Sequence, residues 1–167
     1  MTISEGMTDR RGQLFVSGLT EEDYVLGLTE QQTREFFSGP AHLPWHRMAN
    51  IDHWQGPLPM SYVDHQLVLQ KKILERQRQL GMTPVLPAFA GHVPLELKDV
   101  HPEANVKPLG EWAGFSKEYA TYFLDPLDPL FSKIQKAYLT EQTREFGTDH
   151  IYGIASRRRS PGMAART

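Results

Sequence analysis

The sequence predicts an α/β fold, read as an incomplete (β/α)8 barrel to which the chain supplies about two βα units. Three observations carry that reading. Two amphipathic helical stretches, 61–80 and 128–146, are each closed by a glycine, Gly81 and Gly147. A short apolar stretch suited to a buried strand follows each of them. The helix-to-strand turns are short, whereas the connection from the first strand to the second helix, 90–128, is long and aromatic. In (β/α)8 barrels the loops after the strands build the active site. A doubly wound sheet shares this alternation, so the pattern alone leaves both architectures open. Two strands close neither.

The elements follow in order. Residues 1–23 are polar and carry little periodicity, which marks a loosely ordered lead-in. Thr29 is an N-cap candidate, and Gln32 at the third helical position completes a capping box. That short helix ends near Phe37, before Ser38-Gly39-Pro40. Prolines 40, 44 and 57 and glycines 39 and 56 predict irregular backbone over most of 39–60. The segment nevertheless holds Trp45, Met48, Trp54, His42, His46 and His53, and loops rich in large aromatics often line a site. The helix at 61–80 places Val63, Leu67, Leu69, Ile73, Leu74 and Leu80 among charged residues. A buried strand is expected over 82–89, although Pro84 and Pro87 argue against pairing along its whole length. Asp128 as N-cap and Pro129 at the first helical position open the second long helix, with Leu130, Ile134, Ala137 and Tyr138 on one face. A second strand is expected over 148–153.

Composition excludes several function classes. The chain has 167 residues, room for one domain, and a formal net charge of -2, so no global field draws it to nucleic acid or anionic membrane. It has no cysteine, which rules out disulfides, thiolate nucleophiles and cysteine-based zinc sites. No apolar run approaches the ~20 residues of a membrane helix. The opening residues, 1–12, lack the apolar core of a signal peptide.

Four blocks carry a family resemblance: residues 37–50 (Phe-Ser-Gly-Pro-Ala-His-Leu-Pro-Trp-His-Arg-Met-Ala-Asn), 53–59 (His-Trp-Gln-Gly-Pro-Leu-Pro), 81–94 (Gly-Met-Thr-Pro-Val-Leu-Pro-Ala-Phe-Ala-Gly-His-Val-Pro) and 146–153 (Phe-Gly-Thr-Asp-His-Ile-Tyr-Gly). In order and spacing they resemble glycoside hydrolase family 89, the α-N-acetylglucosaminidases, over roughly 24–153. The resemblance implies a (β/α)8 barrel and a retaining glycosidase that removes terminal α-linked N-acetylglucosamine, in animals from heparan sulfate. It implies two catalytic glutamates, an aromatic sugar subsite, a carbohydrate partner and no cofactor. It also implies a lysosomal or secreted protein, at odds with the opening residues, so the compartment stays open, as does the oligomeric state. By motif position Trp45, Met48 and Trp112 resemble members of the sugar pocket, since a sugar's C–H face packs on indole.

The departures from the family bear on activity. In the family, the strand matching His150–Gly153 runs on to an Asn-Glu pair that carries the acid/base glutamate. Here Ile154-Ala155-Ser156 and an Arg-rich stretch follow, with no acidic residue after Asp149. The acid/base and the nucleophile are therefore expected to be absent. The 154–167 tail has too little apolar content to pack. Its composition is that of a GC-rich coding sequence read out of frame or through an intron. The rival expectations are a sugar-binding remnant without chemistry and an inert truncated product.

Each candidate site residue has a plainer reading beside it. Trp45 and Trp112 serve either a sugar subsite or packing over the barrel, and the resemblance favours the subsite. Met48 is commonly filler. Asn50 has the groups to bond a sugar hydroxyl, but loop asparagines usually bond their own backbone. His92, just after a strand, stands where catalytic-face residues live; a hydrogen-bonded structural histidine is the competing reading. Pro44 is expected to deny His42 and His46 helical i,i+4 geometry, and no H-E-x-x-H arrangement exists, so no metal site is expected. Asp149 and His150, as strand neighbours, are expected to face opposite sides. Arg157–Arg159 resembles a nucleic-acid patch, but the net charge gives it no support.

Overall fold

The computed structural model of the chain describes residues 27–154. The expected lead-in, the tail beyond Ile154 and Arg157–Arg159 lie outside them. Helix α1 spans Glu30–Phe36 and begins with the expected capping box. Thr29 Oγ1 accepts from the Gln32 backbone at 3.2 Å, and Gln32 Oε1 accepts from the Thr29 backbone at 2.8 Å. Two orphan donors are thereby satisfied at once.

The prolines do not keep 39–60 free of helix. A 3-10 turn covers Pro40–His42 and a one-turn helix α2 covers Leu43–Arg47. In each, the proline stands at the start, where its missing N–H is one of the unbonded donors anyway. Helix α3 spans Met60–Gln79. Its inner stripe is Val63, Leu67, Gln70 and Leu74, while Leu69 and Leu80, expected on the apolar face, are exposed. The 4-3-4 spacing of the stripe explains this, because it places the amide of Gln70 between the two leucines. Gly81 (φ +73°) then closes the helix in the left-handed region that glycine tolerates.

Strand β1 is Leu86–Pro87 and strand β5 is Tyr152–Gly153. They pair in parallel, with Leu86 opposite Tyr152, and Ala88 N donates to Gly153 O at 2.8 Å. Both strands are shorter than the sequence predicts. Pro84 and Pro87 cannot donate. Residues 148–150 form a hydroxyl-capped turn, in which His150 N donates to Thr148 Oγ1 and His150 takes φ +59°. Asp149 and His150 are therefore turn residues and not strand neighbours.

The expected long connection is a folded excursion. Strands β2 (His92–Val93), β3 (Val106–Pro108) and β4 (Tyr122–Leu124) form an antiparallel sheet of order β2-β4-β3, with the short helix α4 (Leu97–Val100) between β2 and β3. Helix α5, Pro129–Phe146, packs against this sheet. Its cap, Asp128, accepts from Leu130 N through Oδ1 and from Asn105 N through Oδ2, both at 2.8 Å, so one carboxylate starts α5 and fixes the approach to β3. Leu130, Ile134 and Tyr138 join Phe89, Val93, Leu97, Val106 and Leu124 in the main core.

The two βα units are clamped along their helices. Arg78 of α3 grips Asp149 through Nε (3.0 Å) and Nη2 (2.6 Å) and also donates to the terminal carbonyl of α5 at Phe146. Lys71 pairs with Glu145 at 2.7 Å. Gln142 of α5 donates to Pro87 O, seating the helix on β1.

Ile134 is almost fully buried in the main core. Ile134→Ala is expected to lower unfolding free energy by about 2–5 kcal/mol, and exposed Ser132→Ala to change it by less than about 0.5 kcal/mol. Chemical denaturation of both variants checks this.

Candidate functional site

The loop from Phe37 to Pro59 leads into α3, and the excursion 88–128 leads from β1 into α5. Both therefore lie at the end of the parallel pair where strand-to-helix connections gather. The first loop is held in an unusual backbone. Ala49, His53 and Gln55 all have positive φ (53°, 63° and 57°). Non-glycine residues take this conformation at a cost of about 1–3 kcal/mol each, and only where the surroundings enforce it. Here they do. Thr121 Oγ1 donates to Ala49 O at 2.9 Å and Ser38 Oγ to Ile51 O at 3.3 Å. Asp52 N donates to Tyr119 O, and Gly39 N to Trp54 O. The glycines of the two sequence blocks are required by the same crossing. A Cβ on Gly39 would lie 2.3 Å from Gln55 O, and one on Gly56 would lie 2.5 Å from Phe37 O.

That crossing sets an aromatic ladder on the surface. Trp45 stands 6.2 Å from His42, His42 stands 6.4 Å from Trp54, and Trp54 meets Phe115 edge-on at 4.8 Å. Phe115 stacks on Trp112 at 6.0 Å, and Tyr119 closes on Trp54 at 5.0 Å. The two tryptophans singled out in the sequence thus belong to one connected aromatic surface. Trp45 is 38% exposed and Met48 54%, both more open than packing alone demands. Asn50 is half-buried at the end of this turn, and its backbone N donates to Trp45 O. A depression of about 410 Å³, lined by Gln31, Arg34, Glu35 and Pro57, includes none of these residues.

His92 does something else. Its Nε2 lies 2.9 Å from Oδ1 and 3.2 Å from Oδ2 of Asp52, and its ring stacks on Phe123. Asp52 is 1% exposed. On its other side His46 Nδ1 lies 3.0 Å from the same Oδ1, at an angle that leaves the nitrogen without a well-formed hydrogen bond. Phe36 sets its edge against both imidazoles, at 4.7 and 4.9 Å. His46 and His42, neighbours in sequence, go to different places: one to this buried cluster, the other to the ladder. Sequence reasoning did not connect His46 with His92, and it missed Asp52, Phe115 and Tyr119. The one available signal was an aspartate inside an otherwise aromatic and apolar block, 51–54.

Charge in the cluster is asymmetric. Burial pushes the Asp52 carboxyl up, but the neighbouring His92 and His46 imidazoles outweigh it and hold the group below the usual carboxylate range. Burial is the largest influence on His46 and keeps its pKa below the ordinary histidine value, against the pull of Asp52.

Known proteins place this arrangement. The α-N-acetylglucosaminidase (NAGLU) TIM-barrel domain model matches residues 19–157. The chain belongs to the α-N-acetylglucosaminidase family. Human α-N-acetylglucosaminidase is 51% identical over 130 residues, which cover 77% of this chain and 18% of the human protein. The family 89 glycoside hydrolase from Clostridium perfringens, solved with 2-acetamido-1,2-dideoxynojirmycin and with PUGNAc, matches with a TM-score of 0.68 at 29% identity. The match covers 77% of this chain and 15% of that one. A form of that enzyme with two Glu→Gln substitutions, bound to its substrate GlcNAc-α-1,4-galactose, matches equally. This chain therefore spans under a fifth of the length of these relatives. It is a partial barrel and not a doubly wound sheet, with no closed barrel among the described residues. No helix among them is long and apolar enough to cross a membrane.

The cluster makes folding acid-sensitive. Both folded-state pKa values lie below their unfolded values, so unfolding takes up protons and acid weakens the fold. The His46 contribution is complete above about pH 6.5 and declines below it; the Asp52 contribution declines below about pH 4. Melting temperatures measured from pH 8 to 4 in chelator-containing buffer are expected to fall with acid. His46→Gln is expected to flatten the curve between about pH 6.5 and 5.

Proposed function

We propose that this chain forms part of the sugar-recognition face of an α-N-acetylglucosaminidase, a retaining glycosidase acting on terminal α-linked N-acetylglucosamine in heparan sulfate-type chains. The observation that carries the reading is the connected aromatic surface from Trp45 to Trp112, built from the loop that leads into α3 and the excursion that leads into α5. That end of a barrel is where substrate is handled. Indole and phenyl faces suit the apolar C–H face of a neutral sugar. Its relatives support the substrate class: the Clostridium perfringens enzyme was solved with GlcNAc-α-1,4-galactose.

In this reading Trp45, Met48 and Trp112 contact the sugar, Asn50 orients the turn that presents Trp45, and His92 supports the site through Asp52. Hydrolysis with retention needs two carboxyl groups about 5–5.5 Å apart across the glycosidic bond. Several carboxylates among the described residues have other work: Asp52 is enclosed by two imidazoles, Asp125 holds Asn105 and Lys107, Asp128 caps α5 and, at the far end of the helices, Asp149 grips Arg78. Ile154-Ala155 stands where the family resemblance puts an Asn-Glu pair. The 167-residue chain accordingly binds sugar weakly and does not cleave it.

The purified chain is expected to leave an aryl α-N-acetylglucosaminide unhydrolysed while its tryptophan fluorescence responds to millimolar N-acetylglucosamine. Trp45→Ala is expected to lose most of the response. Turnover that persists after contaminating glycosidase is excluded would sink the inactivity. An unchanged emission up to high millimolar sugar would sink the recognition.

A further inference from the structure

We infer that His46, Asp52 and His92 form a binding site for a divalent transition-metal ion of the zinc class, one that fastens the Trp45 loop to the β2–β4 sheet. The inference is independent of the sugar reading. The donor set comes first: two imidazoles and a carboxylate, the nitrogen–oxygen mixture that zinc and its neighbours favour over calcium or magnesium. One ligand atom from each residue lies within 4.8 Å of the other two. An ion held at ~2.0–2.2 Å by each of them needs its donors ~3.3–3.5 Å apart. The Asp52 oxygen is now 2.9 and 3.0 Å from the two nitrogens, which lie within 4.8 Å of each other, so an ion pushes the oxygen outward by tenths of an ångström and draws the two imidazoles together.

A second observation points the same way. His46 is 3% exposed, and its Nδ1 is aimed at Asp52 without a well-formed hydrogen bond. A buried ring nitrogen left in that state costs free energy that a metal bond removes. The scaffold is also firm. Asp52 is pinned on both sides through its backbone, its N–H donating to Tyr119 O and its carbonyl accepting from Trp54 N at 2.7 Å. Phe36, Phe37 and Phe123 wall the two imidazoles and restrict water. The half-buried side of His92 is the route for the ion, and the second Asp52 oxygen or one water completes four-coordination. Three ligands from α2, the turn after it and β2 would be closed into one unit, which makes the role structural.

The test uses the full 167-residue chain freed of metal by chelator. Co2+ is expected to bind one per chain at micromolar concentration, with the intense visible bands of four-coordination, and Zn2+ to displace it and raise the melting temperature by several degrees. Asp52→Asn and His46→Ala are expected to abolish the bands. A triple variant of His65→Gln, His101→Gln and His150→Gln, none of them in the cluster, is expected to retain them. X-ray absorption of the zinc-loaded unsubstituted chain, which needs no variant to fold, is expected to show two imidazoles and a carboxylate oxygen. Overturning results are a weak octahedral cobalt spectrum, a melting temperature indifferent to Zn2+, fewer than two imidazole ligands, or binding that vanishes only in the triple variant.

Discussion

A carboxylate taken out of water has to be compensated, and the Asp52 side chain is the place where this chain meets that requirement. Losing one partner of a buried pair costs about 3–5 kcal/mol, because the remaining charge stays buried and unmatched. Asp52 turns that penalty into geometry. It draws His46 from α2 and His92 from β2 to one point, so the first loop and the β2–β4 sheet have no freedom to drift apart. The positive-φ residues around it persist for the same reason: Ala49 and His53 are strained on either side of a group that has nowhere else to go. Trp45, one residue before His46, and Met48, two residues after it, inherit a fixed position while staying open to solvent. A buried ionic contact thus orients an exposed apolar surface.

A second constraint operates at the opposite end of the helices. Two βα units with only a two-residue parallel ladder between them share little backbone pairing. Side chains supply the rest. The Arg78 fork on Asp149 meets carboxylate geometry with two donors, which makes it stronger than a single contact between point charges. Its further bond to the Phe146 carbonyl fills one of the acceptors that the end of α5 leaves open. The clamp fixes how α5 is delivered to β5, and the Gln142–Pro87 bond fixes how it is delivered to β1.

Much of this was legible in the sequence wherever a local rule has no competitor. Thr29 with Gln32, Asp128 with Pro129, and the closing glycines 81 and 147 each state a helix end through backbone chemistry that tertiary structure has no reason to override. The inner face of α5 was equally readable from Leu130 to Tyr138, where its apolar spacing is uninterrupted; Glu141 and Gln142 then take buried positions. The α3 stripe was not, since Gln70 occupies a core position and breaks the apolar count. Strands β2, β3 and β4 were invisible for a different reason. Two or three residues carry no detectable alternation, and their pairing joins positions up to some thirty residues apart, as with Val93 and Tyr122. The Asp52 cluster lies beyond local rules altogether, because His92 enters it from forty residues away.

The family resemblance could name Trp45 and Trp112 but not explain why they belong together. The structure supplies the reason in His42, Trp54 and Phe115, which bridge them, and Phe115 appears in no motif argument. It also separates two requirements of a glycosidase. The aromatic surface rests on contacts made inside residues 37–128, supported by a core of its own around Leu97, Leu124 and Ile134. Cleavage demands carboxylates held across the sugar from that surface by strands on other parts of a barrel. In the proposed reading, recognition is carried locally by this stretch of chain, whereas chemistry needs the rest of the barrel. The acidic residues present here illustrate the division. Asp128 caps a helix, Asp149 clamps two and Asp52 balances buried histidines, and a carboxylate committed to such a bond is poorly placed to serve as nucleophile or proton donor.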